Sequence, residues 1–99
     1  MRNFSIERIL DENGIVLRCP TKFGQRLQVV AYLAEKFEAG RVYTELEVNE
    51  ALRANIAFPD YVTMRRELVD FGFLTRTDDG REYRRATELP RVEEILKRY

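Results

Sequence analysis

The chain has 99 residues, 44% of them apolar and 34% charged, which suits one domain with a single modest core burying about 60 to 65% of the unfolded surface. Its 17 basic and 17 acidic side chains cancel to a formal charge of zero, so no global field draws nucleic acid or a membrane to the whole molecule. Histidine is absent and Cys19 is the only cysteine, which excludes an intramolecular disulfide, the usual Cys/His zinc sets and His-activated nucleophiles.

No metal or cofactor is therefore expected, and no enzyme activity. No apolar run approaches the ~20 residues of a membrane span. Acids interrupt the opening MRNFSIERILDENG where a signal peptide would stay apolar, so a reducing cytoplasm is the expected compartment.

Near the start, Phe4, Ile6, Ile9 and Leu10 lie close to helical spacing and predict a short helix, stopped by the DENG turn at 11 to 14. IVLRCP is then expected as a short strand ended by Pro20. The run from Gly24 to Gly40 is apolar over more than one stripe and predicts the central, most buried helix, with Gly40 as its stop. Thr44 followed by Glu47 has the spacing of a capping box, which starts a helix at Glu45 that runs to about Ala54.

RANIAF breaks the helical period. Pro59 and Asp60 then open a third helix, with the proline in its first turn, where no donor is needed, and Gly72 at its end. Two short runs rich in Phe, Leu, Thr and Tyr around Asp78, Asp79 and Gly80 predict a hairpin. A two-residue Asp79-Gly80 turn and a longer loop both fit, and they place different arginines on one face. After Pro90, residues Val92, Ile95, Leu96 and Tyr99 return to helical spacing, with Glu93 and Lys97 as an i,i+4 pair.

The expected fold is thus α+β and winged-helix-like, one domain over residues 1 to 99: a helical core, a C-terminal β-hairpin wing and flanking terminal helices, the last over 88 to 99. YTELEVNEAL at 43 to 52 and DYVTMRRELVDFGFLTRTDDGREYRR at 60 to 85 carry a resemblance to DUF2087, a domain family of unknown function, over roughly residues 11 to 85. The family's signature falls on Tyr43, Thr44, Glu47, Val48 and Asn49, and again on Arg65, Arg66, Glu67, Leu68, Asp70 and Gly72. Such domains occur alone or attached to bacterial helix-turn-helix regulators, so the resemblance implies a setting in transcription. It names no activity and no catalytic residue.

On a helical wheel begun at Tyr61, Val62, Met64, Leu68, Val69 and Phe71 share an apolar half that also contains Arg65. Arg65 is therefore expected as a structural ion pair, with Glu47, Glu50 or Asp60 as partner. The other half holds Thr63, Arg66, Glu67 and Asp70, a net charge of −1, and reads as a solvated face with Arg66 and Asp70 paired. Asn49 is expected to tie its helix to a neighbouring backbone, and Tyr43 to be a packed aromatic.

Arg76, Arg81, Arg84 and Arg85 crowd the hairpin, where with Tyr83 they suit a phosphate backbone, or by themselves the blocking of a sheet edge. The nucleic-acid candidates are accordingly Arg66, Arg76, Arg81, Arg84 and Arg85. The leading expectation is a non-catalytic module of transcription regulation that binds DNA weakly through the wing. The alternative is a protein-interaction or homodimerisation module, motivated by zero net charge and the apolar stripe of the last helix.

Overall fold

The computed structural model describes residues 4 to 98. The elements run as a 3-10 helix, Ile6–Ile9; α1, Phe23–Ala34; β1, Val42–Tyr43; α2, Glu45–Asn55; α3, Tyr61–Asp70; β2, Leu74–Arg76; β3, Tyr83–Arg85; and α4, Val92–Arg98. The α+β class is as expected. No helix among the described residues is long and apolar enough to cross a membrane.

IVLRCP does not form a strand. Val16 alone of this segment makes bridges, antiparallel to Leu10 and parallel to Ile56, after a tight turn. Asp11 Oδ1 accepts from the backbone N–H of Asn13 and Ile15, Gly14 takes a φ of 81°, and the Tyr32 hydroxyl donates to the Gly14 carbonyl at 2.6 Å. The same bridge explains the break at RANIAF: Ile56 is extended (φ −130°, ψ 148°) and ends α2 where Asn55 O accepts from Val16 N–H.

α1 stops at Ala34 rather than running to Gly40. Lys36 and Phe37 donate three residues back, to Leu33 and Ala34, and this tighter turn drives the Phe37 ring into the core. There the ring meets Tyr43 edge-on at 5.2 Å, and Tyr43 accepts from the Glu38 N–H at 2.8 Å. Tyr43 is the packed aromatic that its position suggested.

The capping box forms as read: Thr44 Oγ1 accepts from Glu47 N–H, and Glu47 Oε1 accepts from Thr44 N–H. α3 begins differently from expectation. Asp60 is its cap, accepting from Thr63 N–H at 3.2 Å, so Pro59 sits ahead of the cap and outside the first turn. The helix ends in a Schellman arrangement, with Gly72 N–H on Val69 O, Phe73 N–H on Leu68 O and Gly72 at φ 86°.

The sheet is three-stranded and antiparallel in the order β1-β3-β2. Tyr43 stands opposite Tyr83, and Tyr83 opposite Arg76. β3 is therefore central and β1 is a strand that the sequence pattern did not announce. Of the two hairpin alternatives, the longer loop forms, over residues 77 to 82. Asp79 is tied up in it, accepting from Thr77 Oγ1 at 2.6 Å and from Arg81 N–H at 3.0 Å; these bonds hold its carboxyl below the usual range.

The core runs through α1, α2, α3 and the inner sheet face, and α4 closes it with the buried Ile95. The stripe proposed for the last helix is thus folded back, leaving Leu96 partly exposed; Tyr99 lies outside the described residues. α3 is pinned to α1 by Arg26, whose Nε–H is shared between the two carboxylate oxygens of Glu67 at 3.0 and 3.1 Å. An edge-on Phe23–Phe71 contact at 5.6 Å lies between the same elements.

Candidate functional site

Side chains alternate along a strand, so the register divides the hairpin arginines into two sets. Arg76 and Arg85 share the inner face with Tyr83, while Arg84 points outward between Val42 and Thr75. Arg85 donates from Nη1 to the Phe37 carbonyl at 3.1 Å, and its Nε is buried. It ties β3 to the turn that follows α1 and is partly withdrawn from solvent.

Arg81 and Arg84 are exposed. Each meets only a loose neighbouring carboxylate, Asp79 at 3.7 Å and Glu82 at 3.8 Å respectively, and exposed, solvent-screened contacts of this kind add little to stability. Arg76 and Arg66 form no ion pair among the described residues. The expected Arg66–Asp70 pair is therefore not made, and Glu67 belongs to Arg26 rather than to a solvated face.

These placements open a groove of about 320 Å³ between α3, the hairpin and the start of α2. Arg65, Arg66 and Asp70 line it from α3, Arg76 and Tyr83 from the hairpin, and Glu45 from α2. The Tyr83 hydroxyl donates to Glu45 Oε1 at 3.1 Å. Burial, and then this bond, raise the Tyr83 pKa and keep the phenol a neutral donor.

Arg65 departs from expectation in an informative way. It is half-buried, but its partner is the side-chain amide of Asn49, with Nη1 donating to Oδ1 at 2.6 Å. None of the three proposed carboxylates holds it: Glu47 serves the capping box and Arg41, Asp60 caps α3, and Glu50 is exposed. Asn49 accordingly ties α2 to a side chain of α3, not to a backbone. A neutral partner orients the guanidinium without cancelling its charge.

The structure thus brings Arg65, Arg66 and Arg76 to one groove, leaves Arg81 on the loop beyond it, and sends Arg84 and Arg85 elsewhere. Sequence reasoning grouped Tyr83 with the hairpin arginines but not with α3, and it missed Glu45 as a groove residue. The alternation from Arg76 to its cross-strand neighbour Tyr83 is the signal that would have found the tyrosine, had the register been known.

Among curated proteins and among solved structures, no match is found for this chain. A family model does match, over residues 16 to 85, which takes in α1, β1, α2, α3 and the hairpin and begins slightly after the start expected from the motifs. The chain belongs to DUF2087, a family described as an uncharacterized protein conserved in bacteria.

Proposed function

We propose that this protein is a non-catalytic, winged-helix-like module of bacterial transcription regulation that binds DNA weakly through the α3–hairpin face. The order of helix, strand, two helices and a hairpin, with the first strand completing the sheet, supports this reading, in which the third helix and the wing would face a duplex. The observation that carries the reading is the convergence of Arg66 and Arg76 beside Arg65, with the first two free of ion pairs among the described residues and Arg81 exposed on the adjoining loop. Arg66, Arg76 and Arg81 are assigned to phosphates. Arg84 faces the other side of the sheet, and the short hairpin with few cations keeps the affinity low.

Fluorescence anisotropy of a labelled duplex across about 20 to 200 mM salt tests it, with an expected log–log slope of about −3 for three phosphate contacts. Arg66→Gln and Arg76→Gln should each reduce that slope by about 1 without favouring any sequence. Failure to bind any duplex at the lowest salt would overturn the reading.

One observation favours a protein partner instead: Val42 on the short edge strand and Leu46 in the first turn of α2 are 41% and 67% exposed. Sedimentation at increasing concentration separates the two, since self-association abolished by Leu46→Glu would support the interaction module.

A further inference from the structure

Arg65 sits half out of water with an amide as its partner and no ion pair among the described residues, and a partly desolvated charge so placed is costly to keep in a small fold. From this geometry we infer that the α3–hairpin groove is a binding site for one phosphate group, with Arg65 as its oriented anchor and Arg66 and Arg76 as its flanking donors. The inference uses the groove of the preceding section but does not require that the phosphate belong to DNA.

Two details of the groove favour phosphate over other anions. The Asn49 oxygen occupies Nη1 of Arg65, leaving the rest of a planar fork for a ligand. Arg66 and Arg76 line the groove from a different residue of α3 and from the hairpin, so three arginines border one space, a set suited to a tetrahedral group with several acceptor oxygens. A planar carboxylate, with two oxygens, would satisfy fewer of them.

The two acids in the lining set the size of the ligand. Tyr83 donates to Glu45 and turns part of that carboxylate's demand inward, while Asp70 lies exposed on the last turn of α3. Three cations against two anions leave an excess of one positive charge, enough for one compact anion and too little for the groove by itself to hold an extended polyanion.

The groove also explains why Asn49 is an amide. An aspartate there would form the ordinary ion pair with Arg65 and cancel the site, while asparagine of the same shape holds the guanidinium in place with its charge intact.

The test uses the full chain, labelled with 15N and followed through its arginine Nε–H resonances. Inorganic phosphate and a short DNA duplex serve as probes. Phosphate should move the Arg65 and Arg76 resonances saturably. Asn49→Asp, which keeps the shape and adds a partner for Arg65, should melt no lower than the parent and bind phosphate at least about tenfold more weakly.

Arg76→Gln, at an exposed position, gives an independent arm and should weaken phosphate several-fold. Groove resonances that ignore phosphate, or Asn49→Asp and Arg76→Gln variants that bind it like the parent, would overturn the inference. If DNA still binds in that case and weakens with Arg81→Gln, the nucleic-acid reading survives alone. If phosphate saturates the groove and no duplex binds at low salt, the site stands as one for a small phosphate monoester, and the nucleic-acid reading falls.

Discussion

The Arg26–Glu67 contact fixes the rotation of α3 against α1, and with it the face that α3 turns to the groove. Both side chains are largely shielded, 27% and 16% exposed, and the carboxylate receives one Nε–H across its two oxygens. Losing one partner of such a contact strands the other in a poorly solvated place. Glu67→Ala is expected to destabilise the fold by about 1.5–3 kcal/mol, read as a lower urea midpoint by circular dichroism. A loss within the few tenths typical of exposed pairs would show that Glu67 is solvated after all. A helical wheel assigns Glu67 correctly to the side away from Met64 and Leu68, but it does not know that α1 covers part of that side. The identity of its partner, 41 residues away, is a tertiary fact.

At the scale of elements, the segments that read correctly are those whose causes are local. The capping box of α2 involves Thr44 and Glu47 alone, and Gly72 ends α3 through bonds within five residues. β1 stayed hidden because two residues carry no periodicity and their partners, Tyr83 and Arg84, lie some 40 residues downstream. α1 ended early for a similar reason, since Phe37 leaves the helix to meet Tyr43.

The capping box makes a testable claim about α2. Thr44→Ala should cost about 1 kcal/mol, and the acid half of the box, Glu47, should contribute to the acid response. The backbone N–H of Thr44, and then Arg41, hold the Glu47 carboxyl below its usual range. A carboxyl depressed in the folded state lends stability that is complete above its unfolded value and is lost as pH falls through its folded value. Between about pH 5 and pH 3 the urea midpoint should therefore fall less steeply in Glu47→Gln than in the parent. Equal slopes would remove Glu47 from the acid response.

For the whole molecule, zero net charge hid a local excess, because the sign of a surface depends on which acids fold away. Glu67 and Asp79 are engaged by Arg26 and the hairpin loop, so the cations of the α3–hairpin face stand clearer than a count along the chain suggests. Arg66 and Arg76 were legible as candidates; Arg85 was not separable from them without the register that turns it toward Phe37. The last helix raises the remaining question of scale, whether it is an appendage or part of one cooperative unit. Ile95 is 2% exposed, Leu96 lies 3.9 Å from where a Cβ on Gly24 would stand, and both observations set α4 against α1, which carries the most buried stretch of the core. Ile95→Ala should therefore remove about 2–4 kcal/mol through lost burial and the cavity left behind. The loss should appear as a lower urea midpoint with an unchanged slope and a single transition, since the same core spans every element. A biphasic curve, with helix lost before the sheet, would instead make α4 an independently melting appendage and restore its apolar side as a surface for a partner.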